Sequence, residues 1–354
     1  MATTAPGAAT AEFDYPLPPE RIAQRPLAER DASLLLHLPP EGPPEDRGFR
    51  ELPSLLRRGD LLVVNDTRVR AARLRARRPG GGAAELLVLH PLVDGGYACL
   101  VRPARRLPPG TRLSCAGGLE AEVGGRVPGH PGARSVRLEA PGGDVDAAIE
   151  AAGWVPLPPY IRTALDDPGR YQTVYAAGGP ASAAAPTAGL HFTPAVLAAL
   201  AAAGIERTAV RLEVGLATFA PIRHERIDDH PMHEERFTLP AEAATAIAAA
   251  RARGGRVIAV GTTAVRVLES RAREGGTVEV GEGTTGLYLR PGSPIRVVDG
   301  LLTNFHQPRS TLLVLLAAVV GLERWREAYT HALAGDYRFL SFGDCMLCWT
   351  RQDR

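Results

Sequence analysis

The sequence predicts an α/β protein that carries a small all-β domain. Three observations say so. The 354 residues suit about two domains, each large enough to bury a core. Short apolar stretches separated by Gly and Pro clusters fill residues 72–150, the pattern of a small β domain. After that, apolar runs that read as buried strands alternate with capped helical segments.

Taken in order, residues 1–11 are small and weakly patterned, and are expected to be a disordered tail. Asp60 to Asn65 is an apolar run leaving a polar turn, hence a buried strand. The β texture comprises Glu85–His90, Tyr97–Arg102, Thr111–Ser114, Leu119–Val123 and Ser135–Glu139. A helix from Asp144 to about Ala152 stops at Gly153. Thr193 then caps a helix with Pro194 at its first position and Gly204 at its close. Strand Arg207–Val214 follows, Pro240 opens a helix that ends near Gly254, and strand Arg256–Val260 leads through Gly261-Thr262-Thr263 into a helix reaching about Arg273. Strand Ile295–Val298 and an apolar helix from Ser310 complete the set.

Composition limits the chemistry. The net charge is +2, so any nucleic-acid contact must come from a local patch. Every cationic side chain is Arg, which excludes a Schiff-base lysine and a phosphate-loop lysine. Four Cys (Cys99, Cys115, Cys345, Cys348) do not make a disulfide framework in a chain of this length. Met1 to Glu12 has neither a basic start nor an apolar block. The longest apolar run, Leu312 to Leu322, is shorter than the roughly 20 residues that span a bilayer. The expectation is a cytoplasmic protein with no membrane contact.

Several motifs carry more than packing. Gly281-Glu-Gly-Thr-Thr-Gly286 fits G-x-G-x-x-G, but the residues after it look extended, so it reads as a connector between strands and not as a dinucleotide loop. Cys345 and Cys348 have a metal-like spacing without a second pair, so buried thiols are expected. The run Asp228 to Glu235 holds His230, His233 and four carboxylates; Pro231 breaks a helical register, which favours a loop of acid–base groups over a metal site. Pro186 to Phe192 precedes a capped helix and offers His191 beside small residues; a core histidine at a helix entry explains it equally well. Val260-Gly-Thr-Thr263 lies where open α/β sheets bind ligands, at the carboxyl end of a strand and the start of a helix, although Thr also caps helices. Leu302 to Pro308 is a second such turn, with Thr303, Asn304 and His306 and with Phe305 placed to stack on a base. Core packing accounts for the aromatics of Tyr337 to Asp344 but not for Arg338 or Asp344. Asn65, Asp66, Thr67 and Arg68, and the group Arg162, Arg170, Tyr171 and Gln172, pair arginines with polar and aromatic neighbours, as RNA contact uses; a solvated face is the ordinary alternative.

Read together, these segments resemble the S-adenosylmethionine:tRNA ribosyltransferase-isomerase family of queuosine biosynthesis. The resemblance runs from Phe13-Asp-Tyr-Pro-Leu-Pro through Gly59 to Arg68, Pro156 to Ile161, Tyr171 to Tyr175, Pro186 to Phe192, Asp229 to Glu234, Val260 to Thr263 and Thr303 to His306, and on to Tyr337-Arg338, in one order. Gln307, Cys345, Cys348 and the linker from Gly178 to Ala185 depart from the usual pattern.

The resemblance implies an α/β main domain with a mixed sheet (12–71 and 153–354) and an inserted, barrel-like β domain (72–152). It implies transfer and isomerisation of the ribosyl part of S-adenosylmethionine onto 7-aminomethyl-7-deazaguanine in a tRNA anticodon stem-loop. The product is epoxyqueuosine, with adenine and methionine released. No metal is expected, and a monomer is. Because the sulfonium acidifies the neighbouring ribose C5′ proton and adenine needs a proton donor, His191, His233 and His306 form the acid–base pool, with Glu234 or Asp344 orienting or holding charge. Thr187, Gly189, Phe192, Gly261, Thr262, Thr263, Thr303, Asn304 and Phe305 are expected at S-adenosylmethionine. Asn65, Asp66, Thr67, Arg68, Arg162, Arg170, Tyr171 and Gln172 are expected at RNA. Two other classes compete: a tRNA-binding protein without catalysis, which needs no His cluster, and a metal-dependent hydrolase built on His230 and His233.

Overall fold

A computed structural model describes residues 8–128 and 132–351. Along the chain come β1 (Leu34–Leu38), β2 (Glu45–Gly48), α1 (Leu52–Leu55), β3 (Leu61–Asn65), β4 (Arg68–Val69), β5 (Arg73–Arg77), β6 (Ala83–Pro91), β7 (Tyr97–Arg102), β8 (Arg112–Cys115), β9 (Glu120–Arg126), β10 (Ala133–Glu139), α2 (Val145–Ala152), β11 (Pro180–Ser182), α3 (Pro194–Ala202), β12 (Glu206–Leu212), β13 (Glu235–Leu239), α4 (Ala241–Ala252), β14 (Val257–Val260), α5 (Thr262–Ser270), β15 (Gly281–Thr285), β16 (Gly300–Asn304), α6 (Thr311–Val320), α7 (Leu322–Ala334) and β17 (Cys345–Trp349). They form two compact units. One comprises the chain up to Thr67, Pro158–Gly178 and the chain from Ala185; the other comprises Arg68–Leu157 and Gly179–Ala184.

The first unit is α/β around a nine-stranded mixed sheet in the order β15-β13-β12-β3-β14-β16-β17-β1-β2. Its centre, β12-β3-β14-β16, is parallel. β13 and β15 enter antiparallel to their neighbours, and β17 runs antiparallel to β16 and parallel to β1. Every residue of β3, β14 and β16 is buried, as expected of strands covered on both faces. The period of two assigns each residue a face. Leu62 and Val64 join Ile258, Val260 and Leu302 in a core with Phe192, Val196 and Leu200. Leu61, Val63, Val257 and Ala259 are buried on the other side. Helix α3 forms where Thr193 accepts from Val196 N and Pro194 supplies a preset φ.

The second unit is a closed antiparallel barrel, β10-β7-β6-β5-β8-β9, with β4 and β11 as a separate parallel pair. In β8 alternate residues are buried (Leu113, Cys115), the signature of a barrel with one dry face. Helix α2 starts at Asp144, whose side chain accepts from Ala147 N.

Three sequence expectations change. Residues 1–7 of the expected tail lie outside the described residues, but Thr10–Phe13 forms a 3-10 turn with Thr10 and Phe13 buried. Gly281–Thr285 is a strand itself, paired to β13, and not a connector. Ile295–Val298 is not a strand; the strand is Gly300–Asn304, two residues beyond the β-branched run whose propensity suggested otherwise. Cys345 and Cys348 are buried free thiols on β17, and their spacing of three puts them on opposite faces of the strand.

Candidate active site

Parallel strands that lie side by side bring their carboxyl ends together, and ligands bind there in open α/β sheets. β14 and β16 are such neighbours, and Gly261 N donates to Leu302 O at 2.8 Å. Their exits, Gly261-Thr262-Thr263 and Thr303 to His306, form adjoining walls of one cleft. Ala185 to Ala188 supplies a third wall, Val214, Thr218 and Phe219 beyond β12 a fourth, and Tyr160, Leu340 and Ser341 close it.

The chemistry at this cleft is organised by Asn304. Thr187 Oγ1 donates to Asn304 Oδ1 at 3.0 Å, and Asn304 Nδ2 lies 3.1 Å from His191 Nε2. Asn304 Nδ2 also donates to the carbonyls of Leu340 and Asp344. The amide nitrogen therefore faces His191, whose Nε2 must accept. The proton of the neutral ring then sits on Nδ1, 2.8 Å from Ser33 Oγ. Burial lowers the His191 pKa to about 3, with Arg338 and Arg30 adding to the effect. His306 lines the cleft, with Nε2 2.9 Å from Thr303 Oγ1, and burial takes it also to about 3. Both imidazoles are neutral hydrogen-bonding groups at neutral pH.

Helix α5 points its N-terminus at the cleft, and no side chain among the described residues caps it. Gly261, at φ +86° and ψ 154°, makes this entry in an extended positive-φ conformation that is essentially confined to glycine and costs an L side chain about 1–3 kcal/mol. Uncapped N–H groups and the positive end of the helix suit a carboxylate or hydroxyls. Two buried oxygens of the cleft, Thr263 Oγ1 and Gln307 Oε1, have no hydrogen-bond partner among the described residues. Buried polar groups of that kind usually meet something. Leu340, a non-glycine at φ +71°, holds strain in the loop that closes the cleft.

Other expected residues stand elsewhere. His191 sits behind Asn304 and does not line the cleft; it faces a second cavity with Arg30, Arg170 and Arg338. Phe192 is fully buried against Phe49 and Tyr175, so it serves the core and not a ligand. A Cβ on Gly189 would meet Tyr175 Oη at 2.1 Å, so this glycine answers to packing. Phe305 belongs to the cleft wall, but its ring is fully buried among Tyr329, Tyr337 and Phe339, which leaves it no open face for a base. The Asp344 carboxylate accepts from Leu34 N and Arg338 N, which pins the closing loop, and burial raises its pKa.

His233 and Glu234 are exposed. His233 lines a neighbouring pocket with His230, Met232, Glu235 and Arg266, which meets the cleft at Thr218 and Leu312. The His230 ring lies against those of His224 and Tyr288. Among the described residues, no three of His, Cys, Asp and Glu gather as metal ligands would.

The expected RNA residues divide in the same way. Asn65 and Thr67 are buried: Asn65 Nδ2 donates to Leu212 O, and its Oδ1 accepts from Thr67 N and Leu212 N, stapling β3 to β12. Tyr171 is buried, its ring edge-on to Phe342. Asp66 accepts from Arg211 Nε and Nη2, one on each carboxylate oxygen. Gln172 is half-buried and its carbonyl accepts from Arg30. Arg68 and Arg162 are exposed, and Arg170 is half-buried.

Sequence reasoning left Glu235, Ser33, Tyr160 and Gln307 outside the expected site. Glu235 is buried beside Arg266 and accepts from Gly215 N and Thr218 Oγ1. The alternation Glu235, Phe237, Leu239 would have marked it as inward. Nothing in the sequence announces Ser33, 158 residues from the imidazole it meets.

Residues 10–348 match the family described as "Queuosine biosynthesis protein". The S-adenosylmethionine:tRNA ribosyltransferase-isomerase of Anaeromyxobacter sp. (strain Fw109-5) is 52% identical over 95% of this chain and 97% of that protein. The protein of the same name from Maricaulis maris (strain MCS10) is 48% identical over 95% and 98%. The crystal structure of S-adenosylmethionine tRNA ribosyltransferase from Thermotoga maritima is similar with a TM-score of 0.54, at 38% identity over 95% of this chain and 99% of that one. The chain therefore belongs to the queuosine biosynthesis protein family.

Proposed function

We propose that the chain is an S-adenosylmethionine:tRNA ribosyltransferase-isomerase that uses the Asn304 cleft to bind S-adenosylmethionine. It transfers and isomerises the ribosyl part onto 7-aminomethyl-7-deazaguanine in a tRNA, giving epoxyqueuosine-tRNA and releasing adenine and methionine. The observation that carries this reading is the junction at Asn304. There the Thr187 wall, the Thr303–His306 turn and, across Gly261, the open N-terminus of α5 face one space. The unpartnered Thr263 Oγ1 and Gln307 Oε1 and the uncapped α5 N-terminus suit the hydroxyls and carboxylate of such a nucleoside. His306, neutral in the resting protein, is the proton carrier within the cleft, and Thr303 fixes its ring. His191 is a positioning residue: its Nε2 accepts from Asn304 and so orients the amide. The exposed Arg68 and Arg162 are candidates for the tRNA backbone. We read the protein as acting in the cytoplasm; among the described residues no helix is long and apolar enough to cross a membrane.

The test is incubation with S-adenosylmethionine and tRNA carrying 7-aminomethyl-7-deazaguanine, followed by nucleoside mass analysis. Conversion to epoxyqueuosine with release of one adenine per product is expected. An unchanged nucleoside profile would remove the proposal.

A further inference from the structure

On the far side of Ser341 from the cleft lies a second cavity that the reaction has not used. Ser341 lines both spaces. Three arginines surround the second one, Arg30, Arg170 and Arg338, with Ser33 and His191 beside them. Their guanidinium groups are aimed by backbone carbonyls. Arg30 donates to Gln172 O at 2.6 Å and to Gly169 O at 2.8 Å, and Arg170 donates to Ala28 O at 3.0 Å and to Leu27 O at 2.5 Å. Carbonyls orient a guanidinium without cancelling its charge. Among the described residues, the carboxylate paired with this trio is Asp344, 3.7 Å from Arg338 Nη2 and already accepting from two backbone N–H groups. Asp167 also bears on Arg30, but its carboxylate accepts from Gly169 N. Charge thus accumulates: Arg170 disfavours the charged form of Arg30, and Arg30 and Arg338 both disfavour protonation of His191.

We propose that this arginine-lined cavity holds a backbone phosphate of the RNA substrate, so that a base entering the cleft across Ser341 has its flanking phosphodiester gripped by Arg30, Arg170 and Arg338. The inference rests on the tRNA reading above and names the contact that places the acceptor. Arg30 Nη2 and both terminal nitrogens of Arg170 donate to one carbonyl apiece and keep a second N–H for a phosphate oxygen, and three guanidinium charges around one space match an anion better than a neutral ligand. The loop from Arg338 to Asp344 ties the two spaces together: Arg338 belongs to the cavity, Leu340 to the cleft, and Ser341 to both.

Binding of unmodified tRNA, followed by fluorescence anisotropy between 50 and 200 mM salt, tests this without requiring turnover. Arg338→Gln is expected to weaken tRNA binding about tenfold and to flatten the slope of log K against log salt by about 0.7–0.9, the share of one phosphate contact. Arg338→Lys should recover most of the slope, because it restores the charge. Affinity for S-adenosylmethionine, measured by calorimetry on the same proteins, should stay within about twofold, since the arginines stand outside the cleft. If Arg338→Gln does not fold, Arg170→Gln is read by the same criteria. An unchanged slope would mean the arginines only brace the loops, and would overturn the proposal. So would a loss of S-adenosylmethionine affinity at constant slope, which would assign the cavity to the methionine carboxylate. A wild-type protein that shows the predicted slopes but leaves the modified base unconverted would refute the proposed reaction and not this site.

Discussion

His191 and His306 share a burial that their neighbours in sequence do not announce. Each stays neutral in the folded chain down to about pH 3, whereas an unfolded histidine takes a proton near 6.5. The unfolded state therefore binds more protons between those values. The stability these groups contribute is complete above about pH 6.5 and is lost progressively as pH falls, at up to about 1.4 kcal/mol per pH unit for each. Thermal melts at pH 7 and pH 5 check this: the midpoint should fall on acidification, and the fall should shrink in the His191→Gln, His306→Gln double variant. An equal fall in both proteins would mean that other groups carry the acid sensitivity. The sequence brought out both imidazoles, because each sits among small or polar residues before a helix. It did not tell which side of the turn each faces. That depends on Ser33 and Asn304, which reach His191 from opposite sides and come from distant parts of the chain.

At the scale of elements, the parity of a strand decided what the run of acids around His233 would do. β13 turns Glu235 inward and leaves Glu234 in solvent, so the carboxylate that sequence reading chose is one residue from the buried one. Glu235 meets Arg266 of α5, and Arg266 also donates to Thr285 O and Leu287 O. This pair ties α5, β13 and β15 together behind the cleft. Removing one member of a buried pair leaves an uncompensated charge and typically costs about 3–5 kcal/mol, whereas replacing both is often neutral. Arg266→Met is therefore expected to lower the unfolding free energy by an amount in that range in urea titration, and Glu235→Leu with Arg266→Met to recover most of it. A double variant no better than the single would show that the backbone contacts of Arg266, and not the charge pair, hold α5. The neighbouring β15 was misread because its glycines suggested a connector; pairing with β13 overrode that local preference.

On the scale of the whole molecule, the sequence carried the division into an α/β part and a β part through its texture: buried apolar runs with capped helices in one, short strands between turn residues in the other. The closed barrel and the nine-strand order were not legible, because pairings such as β12 with β3 and β1 with β17 join segments far apart in the chain. The cleft inherits that non-locality. It exists because β14 and β16 are parallel neighbours, which sets Gly261–Thr263 beside Thr303–His306. The central claim is that this junction holds S-adenosylmethionine. Equilibrium dialysis of the ligand against the RNA-free protein tests it most directly, comparing wild type with Asn304→Ala and Gly261→Val in the cleft and with His230→Ala in the adjoining pocket. The account predicts saturable binding that weakens at least about tenfold, or about 1.4 kcal/mol, in each of the first two variants and is unchanged in the third. Undiminished binding in Asn304→Ala and Gly261→Val, with loss in His230→Ala, would contradict it.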